Sequence, residues 1–403
     1  MKIGMICWNL FPKGGGDATT SMHLARALVK KGVEVEIFAP TTDRSSSYQE
    51  KSGVIVNRIS GAYATGYDSV ISKVLFLFSM AKAVKSASSR IDLLHAHDFH
   101  ISTSVAVFSG KHPVISVYAA DPVFEFINFK KKNLIPWERL RVSRNPYVIS
   151  IKKILGFINN NVDCIVSLNS SLNSVIEKHK PKKIVNIPCG IDIDMFTRKS
   201  LKIKEIPSKK YILVVSRFVC WKNIDGAIRI YKNVKKEFND LELVIIARGP
   251  LDKFYADKIK DIPGISIFSG LTYEKIIEFY KNASAFLCPT FYETFGIVLL
   301  EAMAARVPIV ASNLEVFNDR IIDGKTGFTA DPADEQLFTA KILDILENKV
   351  SVKSVTENAF TLVKEYNADI IAEKYIELYK ELMERQPDDR NNIGLRYSIS
   401  DNG

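Results

Sequence analysis

The stretch from residue 285 to residue 312 limits the fold of this chain more than any other. Ala285–Cys288 is a short apolar run that must stop before Pro289, which lacks a backbone N–H, so it predicts a buried strand. A helical pattern follows, and residues 307–311 form the next apolar run. Two buried strands joined by a helix are typical of a parallel sheet in an α/β domain.

The loop between the first of these strands and the helix is expected to bind an anion. Thr294 can cap a helix that runs from Phe295 to Ala305. Ligands of parallel sheets bind beyond the carboxyl ends of the strands, so Glu293 is expected at the rim of a cleft. The backbone amides of Thr294 to Gly296 at the helix start would bind the anion.

Two glutamates indicate what else the ligand carries. Glu301 lies about two helical turns after Thr294 and therefore on the same helix face. At a rise of about 1.5 Å per residue, the carboxylates of Glu293 and Glu301 would line one groove roughly 10 Å apart. Carboxylates accept hydrogen bonds from hydroxyls while amides bind phosphate, so a nucleotide sugar would fit. The spacing alone equally allows two solvated charges at the helix ends.

The residues of this stretch resemble the donor site of one enzyme family. Residues 289–296 read Pro-Thr-Phe-Tyr-Glu-Thr-Phe-Gly, and residues 301–312 read Glu-Ala-Met-Ala-Ala-Arg-Val-Pro-Ile-Val-Ala-Ser. This pattern is similar to that of GT4-type retaining glycosyltransferases of the GT-B fold. The resemblance implies an α/β protein with two Rossmann-like, doubly wound domains that face each other across a cleft. It also implies retaining transfer of a sugar from a UDP- or GDP-linked donor to a hydroxyl of a glycan, lipid or small-molecule acceptor, without a metal ion or other cofactor.

The length and the linker pattern agree with a chain of several domains. A length of 403 residues favours two or three domains, and a lysine-rich stretch around Pro207 reads as a linker. Together with the resemblance, these features predict an acceptor-side domain, a linker, a nucleotide-sugar-binding domain, a helix that crosses back to the first domain and a disordered tail, over residues 1–197, 198–210, 211–367, 368–385 and 386–403.

The second domain carries the predicted catalytic residues. Arg217 and Lys222 match the family's arginine and lysine, which bind the donor diphosphate; as isolated residues they would be ordinary surface charges. Without a metal ion, two cations are needed to neutralise the leaving diphosphate. By the resemblance, Glu293 is catalytic and meets the donor sugar, Glu301 meets the ribose, and the other donor-binding residues of this domain are Phe295, Gly296 and Ile297.

The first domain contributes glycines and acceptor-side residues. A glycine run before a helix can close its amides on a phosphate or a sugar, although it is equally an ordinary flexible turn. The resemblance implies that Gly15 and Gly16 face the donor phosphates. His95 and His97 are expected to point to opposite faces of a strand, one in the core and one at the cleft edge, without sharing a metal ion. The resemblance places three residues beside the acceptor: His97, Asp98 and Asp121.

The chain departs from the family pattern at several positions. Tyr118 and Ala119 end a strand where the family usually has a histidine next to the reacting carbon, which argues against a histidine role there. Asn223 and Arg306 replace glycines, and Arg306 predicts a less tight turn before the next strand. Residues 247–250 match the family's Gly-x-Gly-Pro motif with its first glycine lost, and Arg248 is a candidate for an extra contact with an anion.

Charge is concentrated in one segment. The chain has a formal net charge of +10 and a pI near 9.1, which favours anionic partners. Residues 121–153 contain eight basic and three acidic residues, interspersed with aromatic residues. This segment predicts peripheral contact with anionic lipid headgroups, although core aromatics with solvated lysines would give the same pattern. No nucleic-acid-binding motif accompanies the segment, so nucleic acid is not expected as a partner.

The spacing of the cysteines and the length of the apolar runs indicate the cellular compartment of the protein. The five cysteines are scattered without a C-x-x-C pair, so neither a zinc site nor a disulfide framework is predicted. The N-terminus predicts a first strand rather than a signal peptide, and no apolar run is long enough to span a membrane. We therefore expect a cytoplasmic protein, with any membrane contact peripheral and at the inner face.

Three other functions remain open from the sequence. A nucleotide-sugar epimerase of the GT-B fold would use the same donor domain, and it would release free nucleotide and an altered sugar without an acceptor. A catalytically inactive member would bind the donor without turnover. A dehydrogenase is less favoured, because no G-x-G-x-x-G motif follows the first strand.

Overall fold

Two sheets, each covered by helices, make up the chain. The computed structural model describes residues 1–8, 10, 15–41, 47–60, 70–98, 101–110, 112–119, 122–128, 131–133, 149, 153, 155–157, 160–177 and 181–384. Asp121 and the predicted tail at 386–403 lie outside these residues, as does most of the basic segment at 121–153. The predicted α/β fold with two Rossmann-like domains is confirmed.

The first domain is built on a sheet in the order β3-β4-β2-β1-β5-β6-β7-β8. Its strands are parallel except for the short β3, which pairs antiparallel with β4. The apolar residues of the central strands β1, β2, β5, β6 and β7 are buried almost completely because helices cover both faces. The strands are β1 (Lys2–Ile6), β2 (Glu34–Pro40), β3 (Tyr48–Gln49), β4 (Ile55–Ile59), β5 (Leu93–Ala96), β6 (Val114–Tyr118), β7 (Cys164–Ser167) and β8 (Ile184–Asn186).

The second domain is built on a parallel sheet in the order β11-β10-β9-β12-β13-β14. The predicted strand at Ala285–Cys288 is confirmed, and it pairs with the strand that follows it in the chain. The strands are β9 (Tyr211–Arg217), β10 (Glu242–Arg248), β11 (Ile265–Phe268), β12 (Ala285–Cys288), β13 (Ile309–Ser312) and β14 (Phe328–Ala330).

The strand order of both sheets determines where a ligand can bind. In the first sheet the order reverses between β1 and β5, and in the second it reverses between β9 and β12. A crevice opens beyond the carboxyl ends of the strands at such a reversal. The chain after these four strands carries Gly15, His97, Lys222 and Glu293. The topology therefore brings the predicted site residues to the two reversal points.

Helices cover the sheets and connect their strands. Most are amphipathic or wholly buried on the side that faces a sheet. They are α1 (Gly16–Lys30), α2 (Val70–Ser86), α3 (Ile101–Ser109), α4 (Pro122–Asn128), α5 (Asn173–Ile176), α6 (Asp194–Thr197), α7 (Ile224–Glu237), α8 (Asp252–Ile259), α9 (Tyr273–Asn282), α10 (Ile297–Ala304), α11 (Glu335–Leu346), α12 (Val352–Val363) and α13 (Ala368–Glu384), with short 3₁₀ turns at Ser88–Arg90, Ser170–Leu172, Cys220–Lys222, Glu315–Phe317 and Lys364–Tyr366.

The last helix, α13, packs on the first domain. It lies along α1, where Lys30 pairs with Asp369. Its apolar stripe is buried, and the Tyr379 hydroxyl lies 2.6 Å from His95 Nδ1 at the end of β5. The C-terminal end of the chain thereby completes the packing of the N-terminal domain.

The predicted start of α10 is wrong by two residues. The helix begins at Ile297, and its N-cap is Gly296, whose φ of +84° lies in the left-handed region. Thr294 does not cap the helix; its hydroxyl donates a hydrogen bond to the carbonyl of Ala119 in the first domain, at 2.6 Å. A partner 175 residues away in sequence thus competes successfully with the local cap.

The predicted loosening at Arg306 is also wrong. Arg306 keeps a left-handed φ of +58°, so the turn is as tight as one with glycine. Its guanidinium pairs with Glu357 at 2.9 Å and stacks 3.3 Å from the Phe360 ring centroid, contacts that offset the cost of this φ. Asn223 behaves similarly, because at φ +52° its side chain accepts a hydrogen bond from the Gly226 amide and caps α7.

Replacing Gly296 with alanine should destabilise the second domain more than the same change at Gly324. Both glycines have a left-handed φ, which costs an alanine about 1 kcal/mol. At Gly296 the new Cβ would also lie 2.7 Å from a ring carbon of the buried Phe317, whereas at Gly324 it would meet open space. We expect Gly296→Ala to lower the free energy of unfolding by at least about 1 kcal/mol more than Gly324→Ala, measured by urea denaturation. Equal losses of unfolding free energy in the two variants would contradict the close contact between Gly296 and Phe317.

Candidate active site

A cavity of about 1250 Å³ lies between the carboxyl ends of the two sheets. Both domains contribute to its wall. Among the residues predicted from sequence, the cavity brings together Gly15, Gly16, His97, Arg217, Lys222, Glu293, Phe295, Gly296, Ile297 and Glu301. Asp98 instead accepts a hydrogen bond from the Ser102 amide at the start of α3, and Asp121 lies outside the described residues.

The glycine loop of the first domain approaches the start of α10 closely. A Cβ on Gly16 would lie 3.0 Å from a side-chain carbon of Ile297. The two helix starts, of α1 and α10, therefore face the same space from opposite domains. Their free amide hydrogens make this part of the cavity favourable for an anion.

Each of the two predicted cations has a carboxylate partner. Arg217, the last residue of β9, pairs with Glu125 of α4. Lys222 pairs with Glu293, and both of these side chains are largely buried, at 10% and 14% exposed. Burial tends to lower the pKa of Arg217, but the Glu125 carboxylate more than offsets this, so its pKa is raised. In this state, both cations are therefore neutralised by acids that line the same cavity.

Glu125 is a site residue that sequence reasoning missed. It belongs to the first domain, yet its ion pair is with the second. The available signal was its position shortly after the carboxyl end of β6, where ligands of a parallel sheet bind. Its acidic character within a basic segment was a second signal.

The helix that carries Glu125 is anchored to the second domain by aromatic packing. Phe124 is 3% exposed, and its ring lies 4.1 Å from that of Tyr292 and 5.6 Å from that of Trp221. For this part of the basic segment, the interpretation of core aromatics with solvated lysines is correct, since Lys131 and Lys132 are exposed. Together with the Thr294 hydrogen bond, this contact joins the domains beside the cavity.

Glu301 is a buried carboxylate, so the interpretation of two solvated charges is wrong. It is 4% exposed and accepts a hydrogen bond from the Tyr280 hydroxyl at 2.8 Å. Burial raises the pKa of Glu301 to about 7, although the hydroxyls of Tyr280 and Tyr273 oppose this rise. Tyr273 also lines the cavity and was not singled out from the sequence.

The two histidines at the end of β5 were placed wrongly relative to each other. Residues two apart on a strand share a face, so His95 and His97 lie side by side, with 3.4 Å between His95 Nε2 and His97 Nδ1. The prediction of one core and one cleft-edge histidine is correct, because His95 is fully buried and His97 lines the cavity. Burial lowers the pKa of His97 to about 4, so its ring is neutral.

The structure also shows where the residues that differ from the family pattern lie. Tyr118 is buried in the core of the first domain, whereas Ala119 lines the cavity. Arg248, at the end of β10, lines the cavity as well and adds a further cation to its wall. In the part of the chain that the structure describes, no helix is both long enough and apolar enough to cross a membrane.

Two family models match consecutive parts of the chain. Residues 14–195 match Glycosyltransferase Family 4, and residues 196–362 match Glycosyl transferases group 1. An alpha-monoglucosyldiacylglycerol synthase from Acholeplasma laidlawii is 24% identical over 405 residues, which cover 96% of this chain and 98% of that protein.

Solved structures share the fold over nearly the whole chain. Sucrose-phosphate synthase from Thermosynechococcus elongatus superposes with a TM-score of 0.76 at 18% identity, covering 95% of this chain and 99% of that one. Anabaena Alr3699/HepE in complex with UDP and glucose superposes with a TM-score of 0.72 at 13% identity, covering 94% and 100%. With both domains matched, the chain belongs to the group 1 and family 4 glycosyltransferases of the GT-B fold.

Proposed function

We propose that this protein is a retaining, metal-independent glycosyltransferase that moves a sugar from a nucleotide-sugar donor to a hydroxyl of a lipid or glycan acceptor. One observation carries the proposal: cations, carboxylates and two helix starts converge in a single cavity between the domains. Such a cavity can hold a diphosphate at its cations and amides and a sugar at its carboxylates. A solved neighbour in complex with UDP and glucose supports this class of donor.

The donor diphosphate would take the place of carboxylates that now neutralise the cations. Arg217 and Lys222 would bind its oxygens together with the amides at Phe295 and Gly296. Glu125 and Glu293 would then be released, and Glu293 would accept hydrogen bonds from hydroxyls of the donor sugar. This exchange of anions keeps each cation neutralised before and after binding.

The chemistry follows from the charge that develops during transfer. The acceptor oxygen forms a bond to the anomeric carbon as the bond from that carbon to the diphosphate breaks. The proton of the acceptor hydroxyl passes to an oxygen of the departing phosphate, on the same face of the sugar, so configuration is retained. Arg217 and Lys222 stabilise the leaving diphosphate, which is the role a metal ion fills elsewhere.

A lipid acceptor is favoured by a relative and by exposed aromatic residues. The name of the Acholeplasma relative describes synthesis of a monoglucosyl diacylglycerol. In the first domain, Phe78, Phe108 and Phe157 are 70%, 65% and 53% exposed, and the rings of Phe108 and Phe157 lie 6.3 Å apart. Exposed aromatics on a protein with a net charge of +10 suit contact with an anionic membrane surface.

Glu293→Gln should abolish most of the transfer activity while the protein stays folded. Loss of the carboxylate removes the partner of the sugar hydroxyls, and removal of such a group at a reacting centre costs about 100-fold or more in turnover. Product formation from UDP- and GDP-linked sugars, with circular dichroism as the folding check, measures this. Glu335→Gln, which breaks the exposed pair with Arg229, is the matched control. Normal turnover in Glu293→Gln would refute the site, and an altered free sugar formed without acceptor would indicate an epimerase.

Glu125→Gln should bind nucleoside diphosphates more tightly than the wild type. The variant no longer offers Arg217 an internal anion, so the ligand has no competitor to displace. We expect the Kd of UDP or GDP to fall about three- to tenfold, as for the loss of one partly exposed ion pair of about 1 kcal/mol. Isothermal titration calorimetry measures this, and an equal or weaker affinity would rule out the exchange.

Nucleotide affinity should depend on pH through Glu301. Its pKa of about 7 in the free protein means that it is half protonated near neutrality, whereas ribose hydroxyls bind the ionised form. Affinity should therefore fall as pH drops below 7, by up to about tenfold per unit. Glu301→Gln should lose this component and keep only the part that arises from the phosphate. Identical pH profiles of the two proteins for UDP and GDP would exclude a role for Glu301.

A further inference from the structure

A line of buried hydrogen-bonding groups connects the C-terminal helix to the cavity. The Tyr379 hydroxyl lies 2.6 Å from His95 Nδ1. His95 Nε2 lies 3.4 Å from His97 Nδ1, with the ring planes 23° apart. His97 Nε2 lies 3.1 Å from Thr20 Oγ1 on α1. All four side chains are buried, and the glycosyl transfer proposed above uses none of these contacts.

One direction of the hydrogen bonds gives both hydroxyl hydrogens in the line, those of Tyr379 and Thr20, an acceptor. The Thr20 hydroxyl has one hydrogen and lies 3.1 Å from both the Asp17 carbonyl and His97 Nε2; in this direction it donates to Asp17 and accepts from His97 Nε2–H. A neutral imidazole has one N–H, so His97 Nδ1 accepts from His95 Nε2–H. His95 Nδ1 then accepts from the Tyr379 hydroxyl, which completes the line. Burial lowers the pKa of both histidines, which keeps both rings neutral.

Thr20 is the end of this line of hydrogen bonds that reaches the cavity, and the direction of the line determines what its hydroxyl offers to a ligand. Thr20 lines the cavity, and its only proton is directed at the Asp17 carbonyl. A hydroxyl oxygen has two lone pairs, and His97 occupies one of them. With its hydrogen already donated, the Thr20 hydroxyl can offer the cavity only its remaining lone pair, which accepts a hydrogen bond. His97, with both ring nitrogens engaged, does not provide a general base.

We propose that Tyr379, His95 and His97 are positioning residues that hold Thr20 as a hydrogen-bond acceptor for a hydroxyl of the acceptor substrate. The inference rests on the proposed transfer reaction, since it assigns the substrate side of the same cavity. Thr20 belongs to the first domain, beside the glycine loop and His97. It selects an acceptor that presents an O–H group there, and it disfavours one that presents a carbonyl or ether oxygen, whose lone pairs would face that of Thr20.

The donor–acceptor direction of these hydrogen bonds can be tested without measuring enzyme activity. In full-length protein with ¹⁵N-labelled histidine, nitrogen chemical shifts should show His95 and His97 neutral and protonated at Nε2. Tyr379→Phe removes the donor to His95 Nδ1, so Nδ1-protonated tautomers should appear at both residues. Tyr375→Phe is the matched control, because Tyr375 lies one turn away on α13 with its ring 5.1 Å from that of His95. Nδ1-protonated His97 in the wild type, or unchanged shifts in Tyr379→Phe, would overturn the proposal.

The role of Thr20 can be tested by kinetics with UDP-glucose and dioctanoylglycerol as probes. Thr20→Val keeps the shape but removes the hydroxyl, and should raise the acceptor KM about three- to tenfold, as for one uncharged hydrogen bond. Thr20→Ser should stay within twofold of the wild type, and the Kd of UDP should be unchanged in both. Tyr379→Phe should raise the acceptor KM in the same direction.

The outcomes separate this inference from the proposed function. An unchanged acceptor KM in Thr20→Val, with an active wild type, would overturn the role of Thr20 alone. A rise in the Kd of UDP instead of the acceptor KM would move Thr20 to the donor side and equally overturn it. Absence of any transfer by the wild type from UDP- or GDP-linked sugars would refute the proposed function, while the tautomers would still report on the positioning line.

Discussion

Neutralisation of two cations in the cavity wall is the constraint on which the rest of this structure depends. Lys222 is only 10% exposed, so leaving its charge unpaired would cost several kcal/mol, whereas Arg217 is 43% exposed and its charge is partly solvated. Each is therefore matched by an acid, Glu125 or Glu293. The two acids come from different domains, so neutralising the site also fixes how the domains meet. A polyanionic ligand can replace these two carboxylates as the partner of both cations.

The contacts around the charges explain why one short helix of the first domain matters to the second. Phe124 fills a space between Trp221 and Tyr292, and that anchoring brings the neighbouring carboxylate to Arg217. The Thr294 hydroxyl adds a second link to the first domain. Because these contacts lie beside the cavity, they also limit the access of water, which competes with any acceptor hydroxyl.

Much of the fold was predictable because it follows from local apolar patterns. Continuous apolar runs such as Ala285–Cys288 mark strands that are buried on both faces, and they were found within one or two residues. Errors arose where a distant partner decides the outcome. The start of α10 depends on the bond from Thr294 to Ala119, and the turn at Arg306 depends on the Phe360 ring. No window of neighbouring residues contains that information.

The residues of the candidate site also fall into those that the sequence predicts and those that depend on distant partners. Residues carried by the family motif, such as Lys222 and Glu293, were predicted and line one cavity. Glu125 and Tyr379 were not, because their role comes from tertiary contacts with groups far away in sequence. The relation of the two histidines was open to prediction from strand geometry, and the error there was one of periodicity rather than of missing information.

The return of α13 to the first domain has a consequence for biosynthesis. Lys30 and Asp369 are 339 residues apart, yet they meet at the contact between α1 and α13. During translation, the surface of α1 that α13 covers stays open until residues 368–384 have left the ribosome. A shortened chain that ends before Ala368 would leave this apolar surface open and become a target for chaperones and proteases. Protection from quality control therefore begins only once α13 has been made and has docked on α1.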